Sequence, residues 1–307
     1  MKKCEKLIIV GSGPMGLTAA IYAARGGLDP LVITGSEPGG KPAIATDIDD
    51  YPGFPDGVKG PELVSLFRKQ ADRFKTQFLE GKVIDVDFSK KPFEIKTENE
   101  TLFCQSAILA VGSAPLWLNV PGEQSLIGRG VSVCSTCDGP FFKGKSVAVV
   151  GGGDSAMKEA IYLAKLASDV TIIHRRDIFR AQEALREQVK KLTNVKSLMN
   201  SEVIEVLGEG KVTGLKIKNN QSGQTSRISL DGLFLAIGWK PDTEFLKGKI
   251  ELTEDGHIVL KGESETSVPG VFSGGDAADK KYRQIVTACA FGCKAALDAE
   301  KFLDNQV

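Results

Sequence analysis

Short apolar runs alternate with amphipathic stretches along this chain, and glycines stand where the two meet. Leu7 to Val10 is apolar at every position, the pattern of a strand buried on both faces. Gly11-Ser12-Gly13-Pro14-Met15-Gly16 separates it from Leu17 to Ala24, a run of good helix formers. A second apolar run, Leu31-Val32-Ile33, ends in Thr34-Gly35. Gly39-Gly40-Lys41 opens a stretch rich in turn residues that runs through Asp49-Asp50-Tyr51-Pro52-Gly53-Phe54-Pro55. Beyond it, the spacing of Leu63, Leu66, Phe67, Phe74 and Phe78 predicts one amphipathic helix over Glu62 to Phe78. Strand-like runs follow near Val83 to Phe88, Phe93 to Thr97 and Ala107 to Val111, the last closing at Gly112.

The same order of runs then starts again. Ser113 to Gly122 holds two prolines and reads as a connector. Ser146 to Val150 is a new apolar strand, and Gly151-Gly152-Gly153-Asp154-Ser155-Ala156 leads into a helix to about Leu166. Val170 to Ile173 ends in His174-Arg175-Arg176, with Arg180 close behind. Ala107-Ile108-Leu109-Ala110-Val111-Gly112-Ser113-Ala114-Pro115 matches Leu233-Phe234-Leu235-Ala236-Ile237-Gly238-Trp239-Lys240-Pro241: an apolar strand, then Gly-x-x-Pro. Two copies of one unit explain the match, the second inserted into the first. Gly270 to Ser273, followed by Gly274-Gly275-Asp276, is a further strand, and Lys294 to Leu303 is a helix with no unit of its own. Both return to the first copy. The expected fold is α/β, two Rossmann-like domains, with boundaries at 1–113 and 246–307 for the discontinuous one and 117–244 for the insert.

Each glycine loop lies between a strand and a helix, the context that makes G-x-G-x-x-G a dinucleotide fingerprint. Its first glycine turns the chain, its second admits a pyrophosphate, and its third (Gly16, or Ala156 in the second loop) lets helix pack on strand. The helix N-terminus then faces the phosphates. After the second strand of the first unit no acid stands at the ribose position, and Glu37 comes a few residues late, so the motif alone leaves that dinucleotide open. In the second unit the same place carries Arg175 and Arg176. Arginine forks onto phosphate oxygens, which favours the 2′-phosphate of NADP, by roughly 10²–10⁴ over NAD for two charge-assisted bonds.

Cys134-Ser135-Thr136-Cys137-Asp138 adds redox chemistry. Two thiols two residues apart can close and reopen a disulfide, and the adjoining carboxyl can move the protons. Zinc wants four ligands, whereas the chain has six cysteines, two histidines and no second C-x-x-C. Cys4, Cys104, Cys289 and Cys293 read as structural, the first two as buried fillers and the last two as one helix face. His257 reads as a loop residue, and no metal site is expected. A length of 307 residues suits about two domains, and 42% hydrophobic residues suffice for real cores. The balance of 39 basic against 39 acidic residues points to neither nucleic acid nor an anionic membrane. No apolar run approaches the roughly 20 residues of a membrane span. Met1-Lys2-Lys3 before Leu7 to Val10 only mimics an export signal, so the expected compartment is a reducing cytoplasm, where C-x-x-C is catalytic.

These motifs resemble the low-molecular-weight thioredoxin reductase family over nearly the whole chain. The resemblance is carried by the two glycine loops, PGFP at 52–55, CSTCDG at 134–139, HRRDIFRA at 174–181, GVFSGGDAAD at 270–279 and YRQIVTACAFGCKAALDAE at 282–300. It implies FAD in the first unit, NADPH in the second, a homodimer, and thioredoxin as protein substrate. Gly11, Ser12, Gly13, Pro14, Met15 and Gly16 would hold the FAD pyrophosphate, joined by Thr34, Gly35, Gly39, Gly40, Lys41, Ala110 and Gly112. Gly275, Asp276, Arg283, Gln284 and Ile285 would face the ribityl chain and flavin edge. Gly151, Gly153, Asp154, Ser155 and Ala156, with His174, Arg175, Arg176, Arg180, Ile237 and Gly238, would hold NADPH. Cys137 would be the sulfur nearest the flavin, Cys134 its partner, and Asp138 the proton donor and acceptor; either sulfur is left free to attack thioredoxin.

Lys41, Val111 and Trp239 depart from the family pattern, which has glutamine, threonine and a smaller or imidazole side chain there. Lys41 then either lies against the flavin or reaches solvent. Two neighbouring activities share this architecture. A ferredoxin or flavodoxin reductase does not need the dithiol, and a flavin-dependent dithiol oxidase does not need the arginines. Because the insert carries both dithiol and nicotinamide site, it is expected to swing as a body, hinged near Ser113 to Gly122 and Trp239 to Phe245.

Overall fold

The computed structural model describes residues 4–45 and 47–306. Met1-Lys2-Lys3 lie outside the described residues. The chain forms two compact units, residues 1–114 with 240–307, and residues 115–239.

The first unit opens with β1 (Cys4–Val10), α1 (Pro14–Arg25) and β2 (Leu31–Ile33). It continues through α2 (Gly60–Arg73), β3 (Gln77–Leu79), β4 (Val83–Asp87), β5 (Phe93–Thr97), β6 (Thr101–Leu109) and β7 (Ser113–Pro115). β3, β2, β1 and β6 run parallel in that order. Burial on both faces explains why β1 is apolar from Leu7 to Val10. Leu7 and Ile9 pack with helix residues such as Met15, Ala19 and Ala20, while Ile8 and Val10 pack with Val86, Phe93 and Ile95 from β4 and β5.

The expected helix over Glu62 to Phe78 is in fact two elements. α2 stops at Arg73, Lys75 turns the chain with a φ of +62°, and Phe78 lies in β3, paired with Val32. Phe74 and Phe78 both pack against the cluster that includes Leu7 and Val32, so helix end and strand imitate one helical face.

The second unit contributes β8 (Val131–Ser132), α3 (Ser135–Asp138), β9 (Ser146–Val150), α4 (Asp154–Leu163), β10 (Asp169–Ile173) and α5 (Glu183–Lys190). After β11 (Val195–Leu198) come β12 (Ser201–Leu207), β13 (Gly214–Asn219) and β14 (Thr225–Ser229), an antiparallel meander. β15 (Gly232–Leu235) completes a parallel sheet ordered β11-β10-β9-β15-β8. Val147 and Val149 face α4, and Ala148 and Val150 face the meander, the same alternation as in β1.

The chain returns through β16 (Trp239–Pro241), which pairs with β7, and reaches β17 (Val271–Ser273) and α6 (Ile285–Asp304). β17 joins β6 in parallel at Ala107 to Leu109, so the C-terminal segment completes the first sheet. α6 crosses α1 closely at Gly292, where a Cβ would stand 2.2 Å from Met15 O. The sequence-based boundary put Lys240 to Glu244 with the insert; in the structure they pack with the first unit, where Asp242 N donates to Gly112 O at 3.4 Å and Thr243 Oγ1 to Gly256 O at 2.6 Å.

Candidate functional site

The two glycine loops solve one backbone problem in the same way. The first amide of each donates to the last carbonyl of the neighbouring strand, Gly11 N to Ile33 O at 2.8 Å and Gly151 N to Ile173 O at 3.1 Å. The third carbonyl of each accepts the first helical bond, Gly13 O from Leu17 N and Gly153 O from Met157 N. Gly16 has a packing reason, because a Cβ there would stand 1.9 Å from Gly11 O. Gly13 and Gly153 have none: their φ values of −70° and −98° suit any residue, and nothing lies within 4 Å of an added Cβ. A ligand that approaches the backbone supplies the missing reason. The first turn of α1 has no acidic residue, and no side chain caps it, which suits a bound phosphate.

In the first unit this loop is one end of a cavity of about 440 Å³. Gly11 to Met15, Thr34, Gly35, Gly40, Lys41, Ala110, Gly112, Gly275, Asp276, Arg283, Gln284 and Ile285 all line it. This lining, with the uncapped start of α1 at one end, fits an elongated dinucleotide such as FAD. Ser12 works inside the wall: it is buried, donates to Thr34 O at 2.8 Å and accepts from Gly39 N at 3.1 Å. Gln284 and Thr287 form a capping box at the start of α6. Arg283, just before it, holds a left-handed φ of +52°, a strain that collects at ligand sites. Lys41 reaches across to the Asp276 carboxylate and to Ser113 Oγ at 3.2 Å, with about a third of its side chain exposed. Motif reading missed Lys82, Ser113, Asp242 and Phe245 as lining residues; they come from distant segments and carry no spacing signal.

In the second unit, Arg175, Arg176 and Arg180 are exposed just past the end of β10. Their loop is tied to the glycine loop by Arg180 N and Ala181 N, which donate to Gly152 O at 2.7 and 3.1 Å. His174 is buried beneath that loop, where a Cβ on Gly152 would stand 2.1 Å from its ring. Its Nε2 lies 3.1 Å from Ile178 O, and burial, aided by the three arginines, holds the imidazole below the ordinary histidine value. A neutral, buried ring supports the loop; the exposed arginines offer the charge. Asp154 accepts from Gln182 N at 2.8 Å, and Ser155 and Ala156 follow it on the first turn of α4.

Cys134 and Cys137 form a disulfide, with Cα atoms 5.4 Å apart. Cys137 N donates to Cys134 Sγ at 3.2 Å, and Thr136 Oγ1 lies 3.3 Å from the same sulfur. Ser132, which no motif marks, joins the Cys134 backbone to the acid: it donates to Asp138 Oδ2 at 2.5 Å and accepts from Cys134 N at 3.1 Å. Of the other cysteines, Cys104 is buried, and that burial pushes its thiol up to about 12. Cys289 accepts from Tyr51 Oη at 3.8 Å. Cys4, expected as a buried filler, is exposed at the start of β1. His257 is buried in a loop, 3.4 Å from Asp255. Among the described residues no three His, Cys, Asp or Glu side chains gather as a metal site, and no helix is long and apolar enough to cross a membrane.

Two dinucleotide cradles and a disulfide beside a hydrogen-bonded carboxyl define an oxidoreductase that exchanges electrons between a dinucleotide and a dithiol. The chain belongs to the pyridine nucleotide-disulphide oxidoreductase family, whose model matches residues 5–292. It is 46% identical to thioredoxin reductase of Coxiella burnetii over 310 residues, covering 98% of this chain and 97% of that one. It is 47% identical to thioredoxin reductase 1, mitochondrial, of Arabidopsis thaliana, covering 98% and 84%. Among solved structures, thioredoxin reductase from Giardia duodenalis superposes with a TM-score of 0.94 at 39% identity, covering 99% and 100% of the two chains. The enzyme from Streptococcus pyogenes MGAS5005 gives 0.95 at 36% identity, with the same coverage.

Proposed function

We infer that this chain is an NADPH-dependent thioredoxin reductase, carrying electrons from NADPH through FAD to Cys134–Cys137 and on to the disulfide of thioredoxin. The observation that carries this is the Cys134–Cys137 disulfide with Asp138 and Ser132 beside it, in a family member with two open dinucleotide cradles. The dithiol disfavours a ferredoxin or flavodoxin reductase, and the exposed arginines disfavour an oxidase that has no use for NADPH.

Bound FAD supplies a two-electron carrier between nicotinamide and disulfide. The chain's own groups do the rest. Gly11 to Gly16 and the α1 N-terminus hold the FAD pyrophosphate, and Gly151 to Ala156 that of NADPH. Arg175, Arg176 and Arg180 read the 2′-phosphate, while His174 holds their loop in place. Opening the disulfide breaks one S–S bond and takes up two electrons, and protons must follow. Asp138, oriented by Ser132, gives and takes them. The Cys137 amide stabilises negative charge on Cys134 Sγ. A thiolate then attacks the thioredoxin disulfide, and the second cysteine resolves the mixed disulfide, leaving the substrate as a dithiol. The insert carries both the nicotinamide site and the dithiol, so it would swing as a body to serve a cofactor held in the first unit, a motion that can limit kcat.

The reading includes a homodimer in a reducing cytoplasm. Val286, Ala290, Cys293 and Leu297 line one face of α6, with Val286, Ala290 and Leu297 exposed, and half-exposed Tyr22 contacts Cys293. An apolar stripe of this kind suits a second copy of the chain. Sedimentation would report a dimer mass. The function is tested by mixing the purified protein with FAD, NADPH, thioredoxin and a disulfide reporter. Thioredoxin-dependent NADPH oxidation is expected. A protein that stays colourless after FAD reconstitution, or that oxidises NADPH at one rate with and without thioredoxin, contradicts it.

A further inference from the structure

An ion pair is built into the wall of the first unit's cavity. Lys41 leaves the backbone where it is pinned: Gly39 N donates to Ser12 Oγ at 3.1 Å, and a Cβ on Gly40 would stand 3.2 Å from Gly13 Cα. From that fixed base its ammonium meets the Asp276 carboxylate and Ser113 Oγ. These three residues come from three separate segments, and each lines the cavity that begins at the glycine loop. Burial lowers the Lys41 pKa from its ordinary value, Asp276 pulls it back up, and Arg283 pushes it down again.

The charges in this cavity have to accommodate the cofactor. A hydride from NADPH gives FAD two electrons and one proton, NADP⁺ leaves, and the flavin gains one net negative charge. A bare Asp276 carboxylate in the same cavity opposes that charge, and a carboxylate masked by an ammonium does not. We propose that Lys41 is a countercharge of the flavin cavity, which Lys82, Lys240 and Arg283 also line: it masks Asp276 and shifts the equilibrium between oxidised and reduced FAD toward the reduced form. The inference rests on the FAD reading above. Removing the ammonium changes the cavity by a full unit of charge and leaves the Asp276 carboxylate unmasked. Removing both charges restores neutrality, so the two substitutions compensate.

The test is the flavin midpoint potential of the FAD-loaded proteins, measured by spectroelectrochemistry. K41Q is expected to lower the equilibrium constant for two-electron reduction at least tenfold, a fall of about 30 mV. K41R, which keeps the charge, stays within threefold of the parent, and K41Q/D276N recovers most of the loss. An unchanged K41Q potential overturns the proposal. So does a double variant that holds FAD but is no better than K41Q, and so does loss of FAD from K41Q, which would make Lys41 a binding group only. A parent protein that takes up no FAD at all refutes the flavoprotein reading itself, and is visible before any variant is made.

Discussion

The two glycine loops differ little in backbone and much in what surrounds them. In both units a strand ends, a glycine amide bonds to the neighbouring strand, and an open glycine faces empty space before the helix. The first loop opens into a walled cavity with an internal ion pair. The second opens beside an exposed run of arginines held up by a buried histidine. Under the function proposed above, the shared part would serve what the two ligands share, a pyrophosphate, and the unshared part would separate a cofactor held in a cavity from one met by exposed charge. A cavity buries much of a ligand's surface, and exposed charge attracts an anion.

The largest effect is expected from C134S or C137S, each of which should lower thioredoxin reduction by about 10³-fold or more, as the loss of a reacting sulfur does. Flavin reduction by NADPH should survive, because neither sulfur touches the glycine loops. Next, R175Q/R176Q should raise the KM for NADPH about 10²-fold and leave that for NADH nearly unchanged, the consequence of losing two charge-assisted bonds. Equal rises would show that the arginines do not read the phosphate. G13A should weaken FAD binding about tenfold with little change in the Tm of the apoprotein, since its Cβ meets only the ligand. G153A should do the same to NADPH and not to FAD; a variant that weakened both would erase the distinction between the sites. The smallest effect is that of S132A, which removes one hydrogen bond to Asp138 and should slow turnover about fivefold, from ~1 kcal/mol.

What could be read in the sequence followed from local physics. A strand buried on both faces, a turn that only glycine allows and a helix that begins at once are all consequences of short spacing, so both loops were visible. The C-x-x-C was visible for the same reason. Glu62 to Phe78 mimics one helix because Phe74 and Phe78 enter one core from a helix end and a strand, and no periodicity separates those cases. Cys4 is exposed, against expectation, because the first residue of a strand need not share its burial. Ser132 was invisible because its role depends on a turn that brings its hydroxyl back to Asp138. The Lys41–Asp276 pair joins residues 235 positions apart, and only the folded sheet brings them together.

The central claim is that two redox centres, a flavin and the Cys134–Cys137 disulfide, act in series in one chain. An anaerobic reductive titration of the FAD-loaded protein tests it most directly. Each centre takes two electrons, so four electrons per chain should be consumed before the flavin is fully bleached, and two in C134S or C137S. Full bleaching after two electrons in the parent protein would show that the disulfide is not in redox contact with the flavin, and would contradict the account.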